Sequence, residues 1–181
     1  CGVSLSIPVK LQLNRISSAM PGVRRLGLLY DPFYNADFLL EAEREAPAFG
    51  VEIVPLKVPS RKEIPRVLKN GLDRVDCLWF IPDRTVISES IIQYIIKEAL
   101  LKNTPAVGYN RFFYESGAVM AFIFDYRELG RQTAGIVINV LVNEFCRNMP
   151  PAFHTWINLR VAEKLGIPVK LNPYSVIETG P

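Results

Sequence analysis

Three aspartates stand directly after apolar runs: Asp31 after RLGLLY, Asp83 after CLWFIP and Asp125 after GAVMAFIF. Carboxylates placed in this way could do two kinds of chemistry. Converging in one crevice, they could trade a proton with a substrate, one as acid and one as base. As fixed acceptors they could hold the ammonium group of a small zwitterion while rings pack on its apolar part. Amide, hydroxyl and ring groups recur beside them: Tyr30 and Asn35 near Asp31, Thr85 near Asp83, Tyr126 beside Asp125, and Tyr109 with Asn110 after a further short apolar run. A plainer role competes with both, because Asp, Asn and Ser at such places also cap the next helix. Residue type alone leaves these roles open. Binding without chemistry needs the fewest assumptions.

Other chemistries lack their residues. The chain has no GxSxG elbow, no GxxxxGK[ST] phosphate loop and no GxGxxG fingerprint. Its single histidine, His154, follows Pro150-Pro151 far from any candidate nucleophile and reads as structural. Cys1, Cys77 and Cys146 form neither a zinc spacing nor a disulfide framework, and Cys77 and Cys146 read as small buried hydrophobes within apolar stretches. The expectation is therefore no catalytic residue, no metal and no cofactor. With 21 basic and 18 acidic side chains interspersed for a net charge of +3, the field is too weak to argue for nucleic acid or an anionic membrane surface. No apolar run reaches the roughly 18 residues of a membrane span.

The elements that must position these groups alternate between two periods. Residues 9–20 carry an amphipathic helical pattern ended by Pro21-Gly22. Residues 25–30 read as a buried strand, 35–49 as a helix stopped by Gly50, and 51–58 as a strand that Pro55 sends to a sheet edge. Ser60 and Glu63 have the spacing of a capping box opening a short helix to Asn70-Gly71. Residues 77–82 are apolar throughout, as in a strand buried on both faces, and 89–101 form a helix with an isoleucine stripe. Residues 105–109 and 117–124 read as strands, 126–145 as a long helix, 153–157 as a strand and 159–165 as a helical turn stopped by Gly166, with a loosely ordered tail. The result is an α/β fold: three layers around a mainly parallel, Rossmann-like sheet, with ligands expected at strand carboxyl ends.

Several runs occur together and in order: GVSLSIP at 2–8, PGVRRLGLLYDP at 21–32, VDCLWFIPDRTV at 75–86, PAVGYNRFFYESGAV at 105–119, DYRELGRQTA at 125–134 and NLRVAEKLGIPV at 158–169. In this the chain resembles the later part of ABC-transporter substrate-binding proteins of the tryptophan/tyrosine-uptake type, which have the type I periplasmic binding fold. Sugar-sensing domains of lactose-repressor-like regulators show a similar order, so the likeness supports fold more than function.

The resemblance implies one lobe of a two-lobed clamshell. Residues 1–22 would be a crossing segment and helix, 23–124 the carboxyl-terminal lobe, 125–150 a helix belonging against the amino-terminal lobe, and 151–181 a return segment with the tail. The implied cleft residues are Tyr30, Asp31, Asn35, Asp83, Thr85, Tyr109, Asn110 and Asp125. The implied function is a solute-binding component of an ABC importer, not an enzyme. It would take a small, aromatic or branched amino-acid-like ligand and deliver it to a membrane permease. The alternatives are a ligand-sensing regulatory domain of the same fold and, as an outsider, an α/β enzyme using Asp31 and Asp83. Where relatives often carry asparagine this chain has Arg84 and Arg111, which leaves the ligand's identity open; Arg84 would either pair with a ligand carboxylate or lie on the surface. The apolar residues Ile136, Val137, Val140 and Leu141 of the 126–145 helix would need cover, from this lobe or from a second copy in a homodimer. Such proteins are periplasmic or extracytoplasmic. Cys1-Gly2 reads either as the lipid-bearing start of a lipoprotein or as a truncation point, and the resemblance favours truncation because it places the equivalent residue inside a longer chain.

Overall fold

Strands β1 (Arg25–Tyr30), β2 (Glu52–Lys57), β3 (Cys77–Phe80), β4 (Ala106–Gly108), β5 (Met120–Phe124), β6 (Phe153–Ile157) and β7 (Ser175–Val176) form a single sheet in a computed structural model that describes residues 1–143, 146–173 and 175–177. Their order is β2-β1-β3-β4-β5-β6-β7. Every neighbouring pair is parallel except β5 and β6. Alternate side chains point to opposite faces, and each face has its own core. Leu26, Leu28, Cys77, Trp79, Val107 and Phe122 pack under helices α1 (Val9–Ala19), α2 (Pro32–Glu45) and α7 (Leu159–Lys164). Leu29, Leu78, Phe80 and Ala106 pack under α3 (Ile64–Gly71), α4 (Glu89–Leu101) and α5 (Arg111–Glu115). The expected three-layer, mainly parallel fold is thus present, with β2 and its Pro55 at an edge. Helix α6 (Tyr126–Asn143) follows β5 and keeps Val137, Ile138, Leu141 and Val142 exposed, although Ile136 is buried. Among the described residues no helix is long and apolar enough to cross a membrane.

Local chemistry moved several boundaries. Helix α2 starts at Pro32 rather than at residue 35, because the Asp31 carboxylate caps it through the Phe33 N–H and Pro32 suits its first turn. Its last expected turn is a separate 3₁₀ segment, Ala46–Phe49, around Pro47. Ser60 makes no side-chain cap; a 3₁₀ turn occupies Arg61–Glu63, Pro65 sits in the first turn of α3, and Glu63 turns to Arg66. Helix α5 was not expected from sequence; Asn110 caps it. The tail contributes β7 against β6, a correction to a loosely ordered end. The end of the expected 126–145 helix lies outside the described residues.

The cysteine reading is also corrected. Cys77 is buried as expected, but Cys146 is exposed and bonded to Cys1 as a disulfide, their Cα atoms 5.8 Å apart. Sequence separation of 145 residues hid the pairing, since only the fold brings segments 1–4 and 146–149 side by side.

Two close fits hold the sheet. At the amino ends of β1 and β3, Asp76 Oδ2 accepts from the Arg24 and Arg25 N–H groups at 3.0 and 2.8 Å, and Oδ1 accepts from the Arg25 guanidinium at 2.7 Å. Burial pushes the Asp76 carboxyl up, but these hydrogen bonds outweigh it and hold the group below its ordinary value. On β4, a Cβ at Gly108 would fall 2.0 Å from that of Phe113, so α5 packs directly on the bare backbone.

Two outcomes follow from these fits. Because its pKa is depressed, Asp76 contributes stability above the unfolded carboxylate value and loses it as pH falls through the folded one. Urea unfolding of Asp76→Asn should show a loss of about 1–2 kcal/mol at neutral pH that shrinks below about pH 4. Gly108→Ala should cost about 1–3 kcal/mol in the same measurement, as overpacking against Phe113.

Candidate ligand-binding cavity

The strand order reverses at β1, which has β2 on one side and β3 on the other. Such a switch point is where open α/β sheets leave a crevice beyond the strand carboxyl ends. Here the crevice begins with a closed polar network. Asp83 Oδ2 accepts from the Asp31 N–H at 2.7 Å and from Asn35 Nδ2 at 2.7 Å, and its Oδ1 accepts from the Thr85 N–H at 2.8 Å. Asp31 Oδ1 takes the Phe33 N–H at 2.9 Å, and Oδ2 takes the Thr85 hydroxyl at 2.6 Å. All four carboxylate oxygens are engaged, and both side chains are buried. Asn35 departs from helical geometry inside α2, at φ −129° and ψ 22°, as its amide reaches Asp83 and the Pro82 carbonyl.

Beside this network lies an open cavity of about 820 Å³. Asn35, Tyr109 and Asn110 line it, so three of the eight expected residues meet there. Asp31, Asp83 and Thr85 stand behind the wall and hold Asn35. Tyr30 is buried in the core under α1 and α2. Asp125 sits at the end of β5, where Oδ1 accepts from the Glu128 N–H at 2.9 Å and Oδ2 meets His154 Nε2 at 3.0 Å. The Glu128 N–H, outweighing partial desolvation, and the His154 ring hold its carboxyl below the ordinary value. For Tyr109, burial pushes the phenol up and the Asp83 charge adds to it, so the group stays a neutral hydroxyl at physiological pH.

Most of the wall was not singled out from sequence. Phe38, Phe124 and Trp156 supply rings beside that of Tyr126, which the sequence did single out, and Leu5, Ser6 and Ile7 supply a rim. Arg111 also lines the cavity, its Nε 2.7 Å from Glu115 and its guanidinium carbon 5.7 Å from the centre of the Trp156 ring. Arg84 instead lies exposed over Tyr34. Gln12 is the buried polar member: Nε2 donates to the Ile7 carbonyl at 2.8 Å and Oε1 accepts from Trp79 Nε1 at 3.2 Å. A glutamine inside the Val9, Leu13, Ile16 stripe was a signal available in the sequence.

Comparison with known proteins bears on this arrangement. A model of the ABC transporter substrate binding protein family matches residues 1–172. The chain belongs to that family. Among solved structures, this substrate-binding-family chain is similar to a conserved domain protein from Vibrio cholerae, with 27% identity and a TM-score of 0.72 over 93% of this chain and 58% of that one. It is also similar to an ABC domain in complex with L-Trp from Streptococcus pneumonia, at 21% identity and a TM-score of 0.69 over 92% of this chain and 57% of the other. A third is the ligand-free, open form of a substrate binding protein with adhesive properties from Clostridium difficile, at 21% identity and a TM-score of 0.74, covering 98% of this chain and 61% of that one. The chain therefore spans about three-fifths of the length of these neighbours. A comparison with curated proteins finds no match.

In Asp83→Asn an amide replaces one accepting oxygen and leaves a buried N–H unpaired. Thermal unfolding should report a loss of about 1–3 kcal/mol. Gln12→Leu should orphan the Trp79 indole N–H and the Ile7 carbonyl, and a change in exchange of the indole proton followed by NMR checks it.

Proposed function

We propose that this chain carries part of the binding cleft of an ABC-importer solute receptor. It takes a small amino-acid-like ligand and releases it to a membrane permease. The observation that carries the reading is the cavity beyond the carboxyl ends of β3 and β4, walled by Phe38, Tyr109, Phe124, Tyr126 and Trp156 and bearing the polar groups of Asn35, Asn110 and Arg111. Rings of this number suit an aromatic or branched side chain. The Arg111 cation complements a ligand carboxylate, and the Asn35 and Asn110 amides and the neutral Tyr109 hydroxyl supply hydrogen bonds. Asp31, Asp83 and Thr85 then act by fixing Asn35, and Asp125 by fixing the start of α6. The reading is of binding without catalysis, and it is supported by family membership and by the engagement of both buried carboxylates within the protein.

An extracytoplasmic site suits the family, and the Cys1–Cys146 bond supports it, since structural disulfides persist in oxidising compartments. A Cys1 sulfur bonded to Cys146 has no valence left for a thioether-linked lipid, so no anchor is assigned to Cys1. The proposed division keeps residues 1–22 as crossing segment and helix, 23–124 as one lobe, 125–150 against the other lobe and 151–181 as the return. The exposed apolar side of α6 is assigned to the portion of the clamshell that the longer neighbours carry; a second copy on that face would appear as a dimer in sedimentation.

Calorimetric titration with a panel of L-amino acids, followed in parallel by tryptophan fluorescence, tests the reading. One amino acid should bind saturably, with Asn35→Ala or Tyr109→Phe weakening it by about tenfold, or 1.4 kcal/mol. A response to sugars or nucleotides and to no amino acid would sink the transport assignment in favour of another ligand class.

A further inference from the structure

Two segments run side by side at the rim of the cavity. In residues 1–7 and 146–152 the Met149 N–H donates to the Gly2 carbonyl at 3.0 Å, and the Ser4 N–H donates to the Met149 carbonyl at 2.9 Å. The Gly2 N–H adds a bond to Asn148 Oδ1 at 3.1 Å. The second segment is in turn held to α6 by Gln132, whose Nε2 donates to the Pro150 carbonyl at 3.3 Å and whose Oε1 accepts from the Ala152 N–H at 3.0 Å. Each of these elements leads into a cavity wall: the first to Leu5, Ser6 and Ile7, the second through β6 to Trp156, and α6 from Tyr126.

Ile7 is buried and tied through its carbonyl to Gln12, but little else secures residues 1–6. Cys1, Ser4, Leu5 and Ser6 are exposed, and a few solvent-facing backbone bonds open at small cost. Ordering several extended residues costs more than such bonds return. The Cys1–Cys146 disulfide sits at the open end of this ladder.

We propose that the Cys1–Cys146 disulfide is the staple that joins these two segments and α6 into one unit and thereby sets the position of the exposed Leu5–Ser6 part of the rim over the cavity. It forms when one thiolate attacks a mixed disulfide on the other. Overall two thiols lose two protons and two electrons, and the electrons reduce a dithiol–disulfide oxidant or glutathione disulfide. Cys77 does not compete, because it is fully buried in the sheet core and burial pushes its thiol up. The inference rests on the disulfide and the ladder, and none of its readouts requires a ligand, so it stands or falls apart from the binding assignment.

The test uses protein equilibrated in a glutathione redox buffer. Thiol titration in denaturant should find a single thiol, and peptide mapping without reductant should join the Cys1 and Cys146 peptides. Hydrogen exchange should then compare this protein with Cys146→Ser and with wild type treated with a phosphine reductant. Release of the staple should speed exchange of the Gly2, Ser4 and Met149 amides at least tenfold, leave the β1 and β3 amides unchanged, and lower Tm by roughly 10 °C for so long a closed loop. Three titratable thiols, or rim amides that exchange at the same rate with and without the bond, would overturn the proposal. Should Cys146→Ser fail to fold, the reduced wild type gives the same comparison.

Discussion

The pairing of β1 with β3 is clamped at both ends by carboxylates from the two flanks of β3. Asp76 gathers two backbone N–H groups and a guanidinium at the amino end, and Asp83 gathers two backbone N–H groups and an amide at the carboxyl end. A charged acceptor forms stronger hydrogen bonds than a neutral one, and in a partly dry site it is costly to leave unpaired. Each clamp therefore fixes the register and position of the two central strands. The rest of the molecule hangs on that pair: β2 extends it on one side, the remaining strands on the other, and the two hydrophobic cores fill the faces between.

The carboxyl-end clamp also determines what kind of site this is. Its aspartates look like chemistry in the sequence, yet their oxygens accept from the N–H groups of Asp31, Phe33 and Thr85, the Thr85 hydroxyl and the Asn35 amide. Their effect on the cavity passes through Asn35, whose amide they orient and whose backbone they pull out of helical geometry. Gln12 does the same from the opposite wall, tying the indole of buried Trp79 to the carbonyl of Ile7 on the rim. The cavity itself is a ring-lined hollow with amides, two phenols and one guanidinium.

The rim is built differently from the floor. Strands and helices beneath the cavity are secured by burial, whereas residues 1–6 and 146–150 at its rim are largely exposed and are joined by a short ladder, the Gln132 amide and a covalent link.

Most of the fold was legible in the sequence, because strand and helix periods are local and the apolar runs are long enough to show them. The isoleucine stripe of α4, the edge proline of β2, the buried run of β3 and the glycine stop after α7 each follow from a few neighbouring residues. Helix α5 was not legible: its five residues are too few to show a period, and it forms because Asn110 caps it and Phe113 finds the space over Gly108. Of the residues singled out in the sequence, Asn35, Tyr109 and Asn110 line the cavity and Asp31 and Asp83 lie beside it, an arrangement that residue type alone did not distinguish. It also could not join Cys1 to Cys146, bring Trp156 to Arg111 or set Gln12 between Trp79 and Ile7. Residue type and spacing determine which groups stand at strand ends. Only tertiary structure decides whether a carboxylate there meets solvent or another strand's N–H, because that depends on neighbours dozens of residues away.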